Sequence, residues 1–385
     1  MPLDGCALNW VGYIQLNEMI SIAEGAFLYM PMTIYDIARE AGVSAATVSR
    51  FIRGHKVRPE NAVVLQKIIN QSDYQPNLAA RSLVTKKTVV AGLIVPDVLN
   101  PFYASVFRGF HDALLESGYQ VILANSDAIA EREMALVESL QRLGVVGIAI
   151  VPAVSEKFVP IERCKAQIRQ LDKLRQDGMA IVTMTESLVY QETFDTVSVD
   201  GGEAAFLAVQ HLLRTGHETI AMVGGSTEAD AIQRRIDGCR RGIAEYGLSP
   251  EAMFVFSGGT DRNSGYELAS EVLRRQPRVT AMLCVNDQVA LGVLTYLEDR
   301  HINVPAQVAV IGIDDIADAR ICRPRLSTVA QPQFDIGYES AQILLKRING
   351  ELESESPISR VLPVRLKVRD STWAPSNRGE SGSTE

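Results

Sequence analysis

Two groups of side chains in this 385-residue sequence have the types and spacing to engage a partner. The first is Thr47, Ser49 and Arg50, with Arg53 just beyond, on a run of helical period. Hydroxyls and guanidiniums along a helix of this size suit the phosphates and guanine edges of a DNA major groove, although the same face would also serve as the solvated side of a small bundle. The second group is scattered along the chain but falls at one topological level, directly after predicted strands. It comprises Asp97 with Asn100-Pro101-Phe102, then Asn125-Ser126-Asp127, Asp200, Asn286-Asp287, and Arg235 near the start of a helix. Open parallel sheets bind ligands at the carboxyl ends of their strands, and two facing sheets would gather these groups into one cleft. Each acidic residue taken singly would equally cap a helix.

No catalytic constellation accompanies them. The five histidines, His55, His111, His211, His217 and His301, lie beside no nucleophile motif. Gly224-Gly225 and Gly258-Gly259 lack the phosphate-loop patterns and suit tight strand-to-helix turns. Cys6, Cys164, Cys239, Cys284 and Cys322 stand far apart, without a CxxC pair or a histidine at metal-ligand spacing, so isolated buried thiols are expected. The sequence therefore predicts no enzyme, no metal and no cofactor.

The elements that must position these groups differ along the chain. Net charge is −8, yet Met32–Thr88 carries +5 and the remainder −13: a small basic module on a large acidic body. Residues 1–31 show no sustained period and read as an overextended start or a disordered leader. From Thr33, a candidate cap, Ile34, Ile37, Ala38 and Ala41 recur at helical spacing. Gly42 ends that helix, Ser44 caps a second over Ala45–Ile52, and Pro59 opens a third over Glu60–Gln71. Asn77–Leu83 has one or two turns of helical pattern but is too short to fold alone, so something external must order it.

Beyond Lys87, short apolar strands alternate with amphipathic helices, which predicts an α/β fold with parallel sheets covered on both faces, and the length suits two sheets. The tail from Asp370 is polar and reads as disordered. No apolar run is long enough for a membrane helix and no signal peptide is evident, so a soluble cytoplasmic protein with no membrane partner is expected.

These residues resemble the lactose and galactose repressor family of transcription regulators. The head Thr33-Ile-Tyr-Asp-Ile-Ala-Arg-Glu-Ala-Gly-Val-Ser-Ala-Ala-Thr-Val-Ser-Arg50 is close to that family's signature. Tyr74-Gln-Pro-Asn77 and Ala80-Arg-Ser-Leu83 match its hinge, and Val95-Pro-Asp-Val-Leu-Asn-Pro-Phe-Tyr103 the start of its effector domain. Cys284-Val-Asn-Asp287, Gly312-Ile-Asp-Asp315 and Ser327-Thr-Val-Ala-Gln-Pro332 follow in the right order.

The resemblance implies a helix-turn-helix head (32–75), a hinge helix and linker (76–88), and a core of two subdomains like periplasmic binding proteins (89–369), followed by the tail (370–385). It implies a homodimer on a roughly palindromic double-stranded DNA operator. DNA contacts would come from Thr33, Ser44, Thr47, Ser49 and Arg50, from Ala45 and Ala46 where the family varies its base readout, and from Asn77, Ala80 and Arg81 of the hinge. Leu83 would wedge into the minor groove.

In the cleft, Phe102 and Tyr103 would line one wall, Arg235 and Asp287 would grip polar effector groups, and Asp97, Asn100, Asp127, Thr185, Asp200 and Asn286 would complete the lining. The implied effector is a sugar or sugar derivative, with a purine or nucleoside as the alternative; a sensor whose head no longer reads DNA is the alternative function. Thr185-Glu186 stands where the family commonly has aspartate, and Thr260 where it often has an aromatic residue. The stretch Ser155–Gln176 is longer than the family's usual connection and would enlarge a helix or an interface.

Overall fold

A computed structural model describes residues 32–52, 55–72, 89–153, 161–227, 229–352 and 356–372, with side chains throughout except at 161–163. The chain falls into two compact units, Met1–Lys86 and Lys87–Glu385.

In the first unit, α1 (Ile34–Glu40), α2 (Ala45–Ile52) and α3 (Pro59–Gln71) bury Ile37, Ala38, Val48, Leu65 and Ile68 against one another. Thr33 starts α1 with a reciprocal cap. Its hydroxyl accepts from the Asp36 N–H at 3.3 Å, and the Asp36 carboxylate accepts from the Thr33 N–H at 3.0 Å. Gly42 then turns the chain at φ +64°, a conformation costly for residues bearing a Cβ, and Ser44 accepts from the Thr47 N–H at 3.2 Å to open α2. Helix, glycine turn, helix thus forms as the sequence predicts. Asn77, Ala80, Arg81 and Leu83 lie outside the described residues, as do Arg53 and the leader 1–31.

The second unit holds two six-stranded sheets. Lobe 1 begins with β1 (Val90–Val95), α4 (Pro101–Glu116), β2 (Gln120–Asn125), α5 (Ala130–Arg142), β3 (Gly147–Ile150) and α6 (Ile161–Gln176). It continues through β4 (Ala180–Thr183), the short α7 (Leu188–Gln191) and β5 (Asp195–Val199). Lobe 2 follows with α8 (Gly201–Arg214), β6 (Ile220–Val223), α9 (Asp230–Glu245), β7 (Met253–Phe256), α10 (Arg262–Arg275) and β8 (Ala281–Cys284). Then come α11 (Asp287–Asp299), β9 (Ala309–Asp314), α12 (Ala317–Ile321) and β10 (Ser327–Ala330). The chain returns to lobe 1 with α13 (Gln333–Ile348) and β11 (Ser359–Leu362), and ends in lobe 2 with β12 (Arg365–Lys367).

The strand orders, β11-β5-β4-β3-β1-β2 and β12-β10-β9-β8-β6-β7, place long parallel neighbours side by side. Among the described residues only β12 pairs antiparallel, to β10. Registers such as Val90↔Gln120 through Val95↔Asn125 and Ile220↔Met253 through Val223↔Phe256 bring the strand ends level. Both lobes therefore present their loops at one height, as the sequence pattern requires.

Three helix pairs cross at glycines. A Cβ on Gly109 of α4 would stand 2.0 Å from the Phe334 carbonyl oxygen, and one on Gly337 of α13 would stand 1.9 Å from that of Val106. Gly265 and Gly292 join α10 to α11 in the same reciprocal way, and Gly238 of α9 lies against the Gly202 carbonyl of α8. No side chain fits between these backbones, so each glycine sets the distance at which its helix pair packs.

Of the lengthened segment, Ile161–Gln176 folds as α6. Cys164, Ile168, Leu171 and Leu174 join a buried cluster with Tyr190 and Phe194, so it enlarges lobe 1. Glu133, fully buried on α5, accepts from the Ala153 N–H at 2.7 Å and from the Gln167 side chain. Burial pushes its carboxyl up to about 8, against the pull of those two donors.

The polar tail departs from expectation at its start. Asp370 pairs with Arg325, and Ser371 and Thr372 are buried in lobe 2. Ser371 donates to the Val310 carbonyl at 2.6 Å, and Thr372 lies 2.6 Å from Ser327 Oγ and 2.7 Å from His211 Nε2. A polar segment is held inside because each of these hydroxyls finds a partner there. Residues 373–385 lie outside the described residues.

Candidate functional site

Where the lobes face each other, α4 contributes Phe102 and Tyr103 from its first turn. Asn100 positions them, its side chain accepting from the Phe102 N–H at 3.0 Å. Asp97 accepts from the Leu99 N–H at 2.9 Å and so tightens the loop before the helix. The two rings meet edge to face, with centroids 5.0 Å apart. Burial, followed by the negative charge of Asp314, holds the Tyr103 phenol well above its ordinary range, while Arg235 opposes the shift and Asp97 adds to it. Tyr103, from lobe 1, therefore feels Arg235 and Asp314 of lobe 2 and remains a neutral donor.

Arg235 rises from α9 and donates from Nη1 to the Val285 carbonyl at 2.5 Å. Its Nε is buried and meets no hydrogen-bond partner among the described residues. Asp314 ends β9 at φ +132°, and Asp315 follows at +61°. Two consecutive non-glycine residues with positive φ mark a strained turn held by its surroundings. Gln331, at the crossing back to lobe 1, donates to Asp314 Oδ1 at 2.6 Å, and Gln333 donates to its backbone carbonyl at 2.6 Å. Burial pushes the Asp314 carboxyl up to about 7, with Arg235 and Gln331 pulling the other way.

The other expected lining residues take different roles. Asp287 is wholly buried, and its oxygens accept from Thr328 Oγ1 at 2.6 Å and from the Ile316 N–H at 3.0 Å. Burial, then the Asp314 charge, raises its pKa strongly. Its carboxyl thus braces the strained turn. Asn286 caps α11 by accepting from the Val289 N–H at 2.8 Å and donates to the Thr260 carbonyl at 2.9 Å. Asp200 caps α8, accepting from the Glu203 N–H at 2.7 Å. Thr185 accepts from the Ser187 N–H at 3.1 Å. Asp127 is exposed at positive φ and paired with Arg132 and Asn125. Tyr103 and Arg235 converge with Asp314, whereas Asp127 is engaged by its own neighbours.

Sequence reasoning did not place Asp314, Glu186, Arg234 or Asp230 among the candidate site residues, although Asp314 falls in the Gly312–Asp315 match and Glu186 beside Thr185. Glu186 accepts from the Gly201 N–H at 3.0 Å, and burial pushes its carboxyl up to about 7 against that bond and the nearby Arg235 and Arg234. Arg234 Nε lies 2.8 Å from Asp230 Oδ2 and 3.9 Å from Glu186 Oε2, so it spans the seam between lobes. An open groove of about 460 Å³ runs along this seam, with Glu186, Asp200, Arg234 and Arg241 in its walls. Position gave a further signal: Asp314 ends a strand and Glu186 follows one, as the residues that were singled out do.

In the head, Ser44, Ala46 and Arg50 are exposed on α2 and its cap, with Ala45, Thr47 and Ser49 partly so. Val48 alone points fully into the core. This leaves a continuous polar face of short side chains ending in a cation. Thr33 is exposed at the start of α1. Among the described residues, no group of His, Cys, Asp and Glu is arranged to hold a metal ion, and no helix is long and apolar enough to cross a membrane.

Comparison with known proteins gives two family matches: bacterial regulatory proteins of the lacI family over residues 33–77, and a periplasmic binding protein-like domain over residues 209–372. Catabolite control protein A of Priestia megaterium is 34% identical over 346 residues, covering 89% of this chain and the whole of that protein. A LacI family transcriptional regulator from Enterococcus faecium, solved with bound ribose, is 30% identical at a TM-score of 0.64 and covers 73% of this chain and 98% of its own. The transcriptional regulator CelR in complex with cellobiose is 29% identical at a TM-score of 0.64, covering 88% of this chain and 99% of its own. A helix-turn-helix head with a polar face, joined to a two-lobed core with charged groups between the lobes, accords with these matches. The chain belongs to the lacI family of bacterial regulatory proteins: it is a DNA-binding transcriptional regulator and not an enzyme.

Proposed function

We propose that this regulator binds a roughly palindromic operator as a homodimer in the cytoplasm, and that a sugar or sugar derivative between its lobes changes its affinity for that operator. The observation that carries this reading is the meeting of Tyr103 of lobe 1 with Arg235 and Asp314 of lobe 2 in a buried polar cleft. A ligand that touches both lobes binds one lobe arrangement better than another, and that difference is what shifts a population. Ribose in the regulator from Enterococcus faecium and cellobiose in CelR support a carbohydrate. Phe102 supplies an aromatic face for the apolar side of such a ring, and Arg235 a donor for its oxygens.

On the DNA side, α2 enters the major groove. Thr47, Ser49 and Arg50 face phosphates and guanine edges, and Ala45 and Ala46 make shape or methyl contacts. Thr33 and Ser44, at the helix starts, meet phosphates. Asn77, Ala80, Arg81 and Leu83 form a hinge that operator DNA orders, with Leu83 as the minor-groove wedge. Leu99 (86% exposed), Leu123 and Ile129 around edge strand β2 supply an apolar face for self-association, with Ile321 on lobe 2. The remaining lining residues, Asp97, Asn100, Asp127, Thr185, Asp200, Asn286 and Asp287, shape the cleft through the turns and caps they hold.

The test is selection of a preferred duplex by the full chain from random DNA, followed by titration with ribose and cellobiose. The expected result is one palindromic site whose affinity responds to a sugar, a response lost in Arg235→Ala while Leu83→Ala loses the site itself. Failure to prefer any sequence at any salt concentration sinks the DNA reading, and an unchanged sugar response in Arg235→Ala sinks the cleft.

A further inference from the structure

Asp314, whose charge reaches Tyr103 across the lobes, stands on a turn that it does not hold by itself. Asp314 and Asp315 take φ of +132° and +61°, conformations that residues with a Cβ keep only where their surroundings impose them. Gln331 and Gln333 hold the first of the two. The second is held from near the end of the chain. The Asp315 side chain is 7% exposed and is gripped by two arginines, Arg320 through Nη2 at 2.9 Å and Arg369 through Nη2 at 2.5 Å. Arg320 sits five residues away on α12 and is 64% exposed, so water and salt screen its pair. Arg369 comes from 54 residues later and is 15% exposed. Arg369 is therefore the partner whose loss strands a buried carboxylate.

Arg369 is fixed in its turn. Its Nη1 donates to the Leu326 carbonyl at 2.8 Å, and its N–H donates to Ser327 Oγ at 2.8 Å. The residues that follow, Asp370, Ser371 and Thr372, are pinned to Arg325, Val310 and His211. A planar guanidinium that bonds two partners holds both in one geometry, where a lysine supplies only a point charge. Where those partners lead gives the contact its reach. Leu326 precedes β10, which runs into the crossing that carries Gln331, and Arg369 follows β12, the first strand after the chain's last passage from lobe 1. One side chain thus ties Asp315 to two of the passages between the lobes.

Electrostatics make the turn depend on this contact. Asp287 feels the negative charge of both Asp314 and Asp315, so three carboxyl groups stand close together at the end of β9. Arg235 offsets Asp314, and the arginine pair offsets Asp315. With Arg369 gone, the relief open to Asp315 is a swing toward solvent and Arg320. That swing gives up its positive φ and turns Asp314, one residue earlier, away from Gln331.

We propose that Arg369 is a positioning residue for the effector: acting through Asp315, it keeps Asp314 aimed into the cleft between the lobes. The proposal rests on that cleft being the effector site.

The experiment compares the full chain with Arg369→Met and Arg320→Met. Each is followed by thermal melting and by calorimetric titration with ribose and with cellobiose well below the melting temperature, and ligand-free Arg369→Met is crystallised. Arg369→Met is expected to bind the sugar that the parent chain binds about tenfold more weakly or worse, with the folded fraction at the titration temperature unchanged. Arg320→Met, which removes the exposed arm from the same carboxylate, is expected to stay within about twofold of the parent. In the crystal, Asp315 should have left positive φ and Asp314 Oδ1 should have lost Gln331. A purely structural arginine would lower the melting temperature and leave the affinity of the folded chain alone, and that result overturns the proposal. An equal loss in the two variants, or a turn that stays in place in the crystal, overturns it too. Should Arg369→Met fail to fold, Arg369→Lys keeps a cation beside the carboxylate without the fork; the same loss of affinity and the same shift of the turn are expected, and parental affinity there counts against the role of Arg369. A parent chain that binds neither sugar defeats the carbohydrate reading instead, and the crystal structure of the variant then decides the positioning role by itself.

Discussion

Arg347 clasps Asp195 across 152 residues of sequence, its Nε 2.7 Å and Nη2 2.8 Å from the two carboxylate oxygens. The same carboxylate accepts from the Ile358 N–H at 2.8 Å, so one side chain ties the returning helix α13 and the lead into β11 to the start of β5. Asp195 is 4% and Arg347 20% exposed, which places the pair where losing one partner strands a charge. Asp195→Ala is expected to cost roughly 3 kcal/mol and to lower the melting temperature by several degrees. An unchanged denaturation midpoint would show that the clasp holds nothing.

Helix spacing should be equally sensitive. Gly109→Ala puts a methyl group against the Phe334 backbone at α4 and α13, and rigid backbone cannot yield as a side chain does. Overpacking of this kind costs about 1–3 kcal/mol or more. Gly118→Ala, where a Cβ would meet open space, separates the effects, since its only strain is a φ of +79°. The crossing glycine is predicted to be the more damaging of the two by urea denaturation.

These contacts show what could be read from the chain and what could not. Strands such as Val90–Val95 and Ala281–Cys284 announce themselves as apolar runs, and Thr33, Gly42 and Ser44 punctuate the head because capping and positive φ are local chemistry. The level at which the lobes present polar groups was equally visible, since Asn100, Asp200 and Asn286 all follow strands. Which aspartate is engaged inside the protein was not. Asp287 and Asp314 both sit at strand ends, and only the packed register shows that Thr328 and Ile316 occupy the first. Glu186 and Asp230 matter through partners on another lobe or another turn, a relationship that spacing along one chain does not encode. Ser371 and Thr372 read as tail because their burial depends on residues 61 and 45 positions earlier.

Glu133 makes stability depend on pH in a definite direction. Its carboxyl titrates near its ordinary value of 4.5 when unfolded and near 8 when folded. Between these values the folded state holds the extra proton, so stability is full below about 4.5 and is lost as pH rises through 8. Glu133→Gln removes this dependence while keeping an amide to bond Ala153 and Gln167. The variant should gain on the parent protein as pH rises from 5 to 9. Parallel melting curves for the two across that range would contradict the assignment.

The head offers a test by salt. Arg50→Ala is expected to weaken operator binding and, if the guanidinium meets a phosphate, to reduce the slope of log affinity against log salt by about one. Ser44→Ala removes the α2 cap and should destabilise the helix by about 1 kcal/mol, with affinity lost at every salt concentration alike. A variant at Arg50 with unaltered affinity and slope would remove it from the interface.

Light scattering on the purified chain is expected to give twice the chain mass, and Leu123→Asp on β2 to shift it toward the monomer. A parent protein that is monomeric at micromolar concentration would exclude the dimer.

The path of the backbone has a genetic consequence. Neither lobe is encoded by one continuous stretch: lobe 1 takes its last helix and strand from beyond residue 332, and lobe 2 its last strand from Arg365–Lys367. A premature stop codon between residues 73 and 332 therefore spoils both halves of the sensor at once while leaving the three-helix head, residues 32–72, fully translated. Nonsense alleles in that interval should yield no working sensor, and never a chain with one working half.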